Sequence, residues 1–124
     1  MDGRIQSYRD LIVWQKAMGL SVEVCALTKQ FPSNEQYRLI NQVTRSAVSV
    51  PANIAEGFAR DSPRDYARFL AIARGSLAET ETFLLLAVRL DYLTQQKTNH
   101  AFAVADEINR MLTSLRKKVL NSRK

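Results

Sequence analysis

The sequence has few of the residues from which small chemical sites are built. Among 124 residues there is one cysteine, Cys25, and one histidine, His100. A single cysteine excludes an internal disulfide and suits a reducing compartment. Di-metal carboxylate bundles need paired Glu-x-x-His motifs, and the sequence contains none. We therefore expect no catalytic residue, no metal site and no cofactor, with Cys25 buried as an inert thiol on an apolar stripe and His100 at the surface.

Chain breakers and long apolar runs are scarce as well. With 4 glycines and 3 prolines, the chain favours a few long elements over many short ones. The longest apolar run, 83–88, is far shorter than the ~20 residues that a membrane helix needs. The first seven residues contain no apolar stretch of the kind found in signal peptides. We expect a cytoplasmic protein with no membrane partner.

Four segments carry apolar residues at alternating steps of three and four, which predicts amphipathic helices. No segment alternates with the period of two that is typical of a strand. The expected core positions are Val13, Ala17, Leu20, Val24, Leu27 and Phe31 in the first segment; Ile40, Val43, Ala47, Val50 and Ile54 in the second; Tyr66, Leu70, Ala73, Leu77, Thr80, Leu84 and Ala87 in the third; Ala101, Val104, Ile108, Met111, Leu115 and Val119 in the fourth.

Capping and breaking residues separate these segments. Pro32 and Gly57 are predicted stops. Pro51 lies inside the second segment, but the apolar spacing continues across it, so we predict one helix with a kink there. The predicted helix starts are Asp10, the Ser-x-x-Gln capping box at 33–36, Ser62 followed by Pro63, and Thr94.

Short connections make each helix antiparallel to the one before, which predicts an all-α, up-down-up-down four-helix bundle. The length suits one domain, 1–124, with 1–9 as an N-terminal extension and 121–124 as a basic C-terminal tail. Gly75 lies inside the third helix, where it indicates a close helix–helix approach. Small residues on the second helix predict close packing as well: Ala47, Ala52 and Ala55.

The formal net charge is +6, and the excess lies near the C-terminus. A neutral body with a cationic end is typical of proteins that bind nucleic acid. The alternative is a solvated helix end, because Lys and Arg in a last turn complement the helix dipole. The segment after residue 109 contains six cations and no acid, and these cations are the candidate nucleic-acid-binding residues: Arg110, Arg116, Lys117, Lys118, Arg123 and Lys124. The next candidates are three arginines near the start of the third helix: Arg60, Arg64 and Arg68.

The first and third helices carry a second apolar stripe beside the first. A helix in an isolated bundle needs only one apolar face, so a second stripe would stay exposed on a monomer. Self-association is therefore expected. The predicted oligomer-interface residues are Trp14, Met18, Phe69 and Phe83.

Three acids lie on or beside the apolar stripes: Glu56, Glu79 and Glu81. A carboxylate in such surroundings is costly unless it is paired. We expect these acids to form ion pairs within or between subunits, in preference to a metal or catalytic site. The candidate partners are Arg45 and Arg74.

Three motifs occur in the order typical of one bacterial family: DLIVWQKA at 10–17, AVSVPANIAEG at 47–57 and RFLAIARGSLAETET at 68–82. Across residues 8–94 the chain resembles the four-helix-bundle family first noticed as reading frames within intervening sequences of large-subunit ribosomal RNA genes. One departure is Asp91, where that family usually has Gly.

The resemblance implies a ring-like homopentamer. It also relates the chain to the accessory variability proteins of diversity-generating retroelements, basic pentamers that work with a reverse transcriptase and its RNA. Together with the charge, it suggests a non-enzymatic oligomer that binds structured RNA as an accessory to a ribonucleoprotein or reverse-transcriptase system. The alternative is a protein-interaction scaffold with no nucleic-acid role.

Overall fold

The structure is a computed structural model that describes residues 4–122. Within that range the chain forms four long helices and no β-strand. Each helix packs against the next one along the chain, and the last packs back against the first. The predicted all-α four-helix bundle is therefore confirmed. The helices are α1 (Ile12–Leu27), α2 (Asn41–Phe58), α3 (Pro63–Arg89) and α4 (Gln95–Asn121).

Buried hydroxyl groups set the register of α2 against α3. Thr80 Oγ1 donates to Ser46 Oγ over 2.9 Å, and the hydroxyl oxygens of Ser49 and Ser76 lie 2.8 Å apart. Ser46 precedes Ser49 on α2, whereas Thr80, the partner of Ser46, follows Ser76 on α3. The two helices therefore run antiparallel. Among the described residues no buried side-chain nitrogen or oxygen lacks a partner, so this polar seam costs little.

The predicted core positions of α1, α2 and α3 form the hydrophobic core, with Ile40 and Tyr66 half-buried at its edge. The prediction for α4 was partly wrong. α4 packs against both α1 and α3, and a second row of its residues, Ala105 and Leu112, is buried beside the predicted stripe. The buried apolar residues of α4 are Ala101, Ala105, Ile108 and Leu112, while the predicted positions that are only half-buried are Val104, Met111, Leu115 and Val119.

Two predicted helix starts were wrong. Asp10 does not cap α1; its Oδ2 accepts from the backbone nitrogens of Gln6 and Ser7, each at 3.0 Å, and so closes a 3-10 turn at Tyr8–Asp10. The expected capping box at 33–36 is replaced by a 3-10 turn, Ser33–Glu35, and a π-helical turn, Gln36–Ile40. The Glu35 side chain, at the junction of these turns, is buried.

Gly57 and Gly75 have roles opposite to those expected. Gly57 is helical and does not stop α2, which continues to Phe58. A Cβ at Gly57 would lie 2.8 Å from Phe69 Cβ, so this glycine permits the close approach of α2 and α3. At Gly75, which is exposed, a Cβ would meet no described atom within 4 Å. The close contact predicted at Gly75 is therefore absent from the described part of the chain.

The other helix-capping and helix-breaking residues lie in the structure where the sequence predicts them. A single helix continues through Pro51, as predicted, while the kink itself stays a prediction. Ser62 caps α3 by accepting from the backbone nitrogen of Asp65, with Pro63 at the first helical position. Thr94 caps α4 in the same way.

Asp91 ends α3 in the left-handed conformation, with φ of 64°. Its backbone nitrogen donates to the carbonyl oxygen of Val88, and that of Tyr92 donates to Ala87. These two bonds form a Schellman motif, in which glycine is the residue best suited to the left-handed position. The turn therefore keeps the geometry of a glycine turn although it carries an aspartate.

Candidate nucleic-acid interface

The predicted C-terminal cations that the structure describes have different surroundings. Arg110 Nη1 lies 2.6 Å from Asp106 Oδ2, so a carboxylate one turn earlier balances its charge. Lys117 and Lys118 are exposed near the end of α4. The last two predicted residues lie outside the described part of the chain: Arg123 and Lys124.

Arg116 turns toward α3 instead of toward solvent. Its Nε donates to the backbone carbonyl oxygen of Ala67 over 3.2 Å, and its side chain is half-buried. Because α3 and α4 are antiparallel, this bond joins the end of α4 to the first turns of α3. Arg64 and Arg68, which were only secondary candidates in the sequence, lie on those turns and line the same cavity as Arg116.

This cavity, which we call the basic groove, is open to solvent and has a volume of about 550 Å³. Three arginines line it against one carboxylate, that of Asp65, so its charge is positive. A concave surface of this charge attracts phosphate groups. The lining residues are Ser62, Arg64, Asp65, Ala67, Arg68, Ala71, Arg116 and Leu120.

Acidic side chains hold two arginines in place beside the groove. Asp65 Oδ1 accepts from Arg68 Nε at 3.2 Å, and Asp65 Oδ2 lies 3.7 Å from Arg60 Nε. Arg60 Nη2 also lies 2.9 Å from Glu56 Oε2. Exposed pairs of this kind add little to stability. Their effect here is to limit the positions that the guanidinium groups adopt.

Phe69, a predicted oligomer-interface residue, lies next to this network. The guanidinium carbons of Arg60 and Arg68 lie 4.8 and 4.5 Å from the centre of its ring. Contacts of this kind between a cation and an aromatic face are attractive. The half-buried ring therefore supports the arginines near the basic groove, and its role in an oligomer interface stays a prediction.

Trp14 and Met18, two further predicted interface residues, lie on a different surface. They line a cavity of about 330 Å³ between α1 and α2, which we call the apolar groove. Three of its apolar side chains are strongly exposed: Met18 at 43%, Val22 at 69% and Val48 at 48%. Ala52 is also exposed there, so it is not closely packed within the described chain, and its packing in an assembly stays a prediction.

Phe83, the fourth predicted interface residue, lies between α2 and α3. It lines a cavity of about 430 Å³ together with Arg45 and Glu79. Neither residue forms an ion pair within residues 4–122, where both side chains are exposed along the groove, and pairing between subunits stays a prediction. Arg74, the other expected partner, donates to Asn109 Oδ1 instead.

The other two acids singled out in the sequence have different surroundings. Glu56 pairs with Arg60, four residues further on, and not with Arg45 or Arg74. Burial, and in addition the nearby charge of Asp106, raise the pKa of Glu81. No group of metal-binding side chains large enough to hold an ion occurs among the described residues.

The sequence analysis predicted that Cys25 is buried and that His100 is exposed. The expectation for Cys25 was wrong, since its thiol is exposed. Met18 on the same stripe is exposed as well, while Ser21 between them is buried and its hydroxyl donates to Ala47 O. His100 is exposed, as predicted, and its Nδ1 lies 2.8 Å from Glu23 Oε1.

A buried carboxylate at the opposite end of the bundle was missed by the sequence argument. Glu35 is 4% exposed and accepts from the Tyr92 hydroxyl at 2.5 Å and from Arg38 Nε at 3.0 Å. The Tyr92 bond lowers the pKa of Glu35 below its ordinary value of 4.5, with help from Arg38 and against the effect of burial. The same bond raises the pKa of Tyr92 above 10.0. The sequence gives no periodic signal for this pairing, because its partners are 57 residues apart.

Comparison with known proteins identifies the family. Residues 9–114 match the family described as 23S rRNA-intervening sequence protein. The chain belongs to this family. The resemblance found in the sequence is therefore confirmed, and it extends into α4, beyond the motifs that first indicated it.

A solved structure from the same group is similar throughout. It is a protein of unknown function from the S23 ribosomal protein family of Bacteroides thetaiotaomicron, with 32% sequence identity and a TM-score of 0.78. The match covers 86% of this chain and 99% of that chain. Among curated proteins, none matches the sequence.

The 23S rRNA-intervening sequence protein family is not a known enzyme family. Within residues 4–122, none of the helices combines the length and the apolar character needed to cross a bilayer. The basic groove is thus the feature of this family member that most clearly favours a polyanionic ligand.

Proposed function

We propose that this protein is a non-enzymatic, cytoplasmic RNA-binding module. It acts as a homo-oligomer and as an accessory to a ribonucleoprotein or reverse-transcriptase system. The observation that carries the proposal is the basic groove, where Arg64 and Arg68 from α3 and Arg116 from α4 line one cavity. Lys117 and Lys118 add exposed charge directly after Arg116.

Phosphate neutralisation is the physical basis of the proposed binding. Each Lys or Arg that contacts a phosphate releases condensed counterions, which favours binding most strongly at low salt. The name of the family refers to 23S rRNA, and this supports RNA as the polyanion. Structured RNA is the expected target, with little sequence preference.

Self-association would multiply these contacts. The exposed apolar side chains of the apolar groove support a subunit interface, and we propose a ring-like pentamer. Five basic grooves on one particle would bind a long RNA together, because each additional contact is made at high effective concentration. Weak binding of RNA by each single groove is then sufficient for tight binding by the whole oligomer.

The alternative function is a protein-interaction scaffold without a nucleic-acid role. The apolar groove is the observation that favours it, since an exposed apolar surface of this kind also suits a partner helix. The two functions differ in salt dependence, because binding by apolar contacts does not weaken steeply as salt is added.

The decisive experiment compares two variants that lose equal charge at opposite ends of the bundle. The groove variant carries Arg64→Gln, Arg68→Gln and Arg116→Gln. The control variant carries Lys29→Gln, Arg89→Gln and Lys97→Gln, which also takes the formal net charge from +6 to +3. In fluorescence anisotropy with a structured RNA, we expect the groove variant to bind about tenfold more weakly, or worse, than the control variant. Equal loss in both would refute the basic groove as the binding site.

A further inference from the structure

Arg68 and Arg116 are anchored in the same way on two different helices. Arg68 Nε donates to Asp65 Oδ1 and Arg116 Nε donates to the Ala67 carbonyl oxygen, each at 3.2 Å. Within residues 4–122, no hydrogen bond uses the terminal nitrogens of either guanidinium. Since arginine has five N–H donors in one rigid plane, the two terminal nitrogens of each side chain remain available to a single ligand.

This anchoring favours an oxyanion with at least two acceptor oxygens. A guanidinium binds phosphate oxygens in pairs, which lysine does not do because its ammonium group acts as a point charge. The contact of Arg68 with the Phe69 ring and the half-burial of Arg116 reduce the freedom that each side chain would lose on binding. Such pre-organisation lowers the entropic cost of holding a ligand.

The rest of the groove is too large and too apolar for a phosphate alone. Its volume of about 550 Å³ is within the usual range for sites that hold small organic molecules. Ala67, Ala71 and Leu120 supply an apolar surface beside the arginines. A sugar and base attached to the phosphate would cover this surface, whereas a bare anion would leave it in contact with water.

We infer that the basic groove is a site for one unpaired nucleotide of RNA. The terminal nitrogens of Arg68 and Arg116 hold its phosphate, and its nucleoside lies against Ala71 and Leu120. This inference rests on the proposed RNA-binding function and specifies the ligand of that same groove. A base within a duplex must first leave its stack, so RNA with unpaired nucleotides binds in preference to a perfect duplex.

The arginine geometry is tested by substitutions that keep the charge. The variant Arg68→Lys with Arg116→Lys is compared with Arg45→Lys and Arg89→Lys, which change exposed arginines outside the groove. We expect the groove variant to bind single-stranded RNA about tenfold more weakly, with an unchanged salt slope, and the control variant to bind as the wild type does. Equal affinity of both variants would overturn the inference while leaving RNA binding by the wild type intact.

The nucleoside is tested by competition. Uridine 5′-monophosphate and inorganic phosphate carry similar charge, and each is titrated against labelled single-stranded RNA bound to the wild-type protein. We expect the nucleotide to displace the RNA at a concentration about tenfold lower. Displacement at equal concentrations, or equal affinity for single-stranded RNA and for a duplex of the same length, would overturn the nucleoside site. If the wild type binds no RNA at low salt, the proposed function itself fails.

Discussion

Arg116 on α4 donates from Nε to the backbone carbonyl oxygen of Ala67 on α3, at 3.2 Å. This bond joins the two helix ends that supply the basic groove. It uses one of the five donors of Arg116, and no hydrogen bond within residues 4–122 uses the terminal nitrogens. The positive surface of the basic groove is consequently built by two packed helices.

Alanine substitutions at Gly57 and Gly75 provide a matched pair of variants that test the packing of the bundle. Gly57→Ala should lower the free energy of unfolding by about 1–3 kcal/mol, because the new Cβ would meet Phe69 Cβ at 2.8 Å. Gly75→Ala should raise it by up to about 1 kcal/mol, because the helix gains propensity and no contact is crowded. Urea denaturation of both variants checks the prediction. A stable Gly57→Ala protein would show that α2 and α3 are not this close.

Replacing Asp91 with glycine should stabilise the protein. Its φ of 64° is less favourable for aspartate than for glycine. Asp91→Gly should therefore raise the free energy of unfolding by about 0.5–1 kcal/mol, despite the greater freedom of glycine in the unfolded chain. Asp91→Val, which cannot adopt this conformation readily, should lower it. The prediction fails if the glycine variant is the less stable one in denaturant titrations.

The pairing of Glu35 with Tyr92 should make stability depend on pH. Because the pKa of Glu35 is lowered by folding, its stabilising effect is present above the ordinary value of 4.5 and is lost as pH falls through the folded pKa. Tyr92→Phe should lower Tm at pH 7, and its difference from the wild type should shrink in acid. Tyr37→Phe serves as the control, since Tyr37 is 90% exposed. A Tyr92→Phe effect that is constant across pH would contradict the pairing.

The apolar groove should determine the oligomeric state. We expect light scattering after size exclusion to give about 70 kDa, the mass of a pentamer of this 14.1 kDa chain. Met18→Glu places a charge among exposed apolar side chains and should shift the protein toward the monomer. Gln96→Glu, at an exposed polar position on α4, should leave the mass unchanged. A wild-type monomer would refute self-association, and another mass would refute only the number of subunits.

Apolar periodicity was sufficient for the helices and for most of the core, because the buried positions of the first three seams follow the predicted steps of three and four. It was not sufficient for α4, where Ala105 and Leu112 are buried although they lie outside the predicted stripe. Glu35 could not be foreseen either, since its burial depends on Tyr92 from a distant turn. Periodicity describes one helix at a time, whereas these features depend on how several helices meet.

The same limit applies to the candidate site. The charge count drew attention to Arg116, but it grouped that residue with Arg110, whose charge Asp106 balances locally. It ranked Arg64 and Arg68 second, although the antiparallel arrangement brings them to the same groove as Arg116. Net charge along a sequence is additive, while a binding surface depends on which cations share one end of the fold and which are already paired.

The central claim is that the basic end of the bundle binds RNA through phosphate contacts. The most direct measurement is the affinity of the wild-type protein for single-stranded RNA, by fluorescence anisotropy, between about 50 and 300 mM salt. The logarithm of the association constant should fall linearly with the logarithm of salt concentration. With about −0.7 for each phosphate contact, one phosphate at Arg68 and Arg116 and a second at Arg64 predict a slope of about −1.4 or steeper. A flat dependence, or no binding at about 50 mM salt, would contradict the claim.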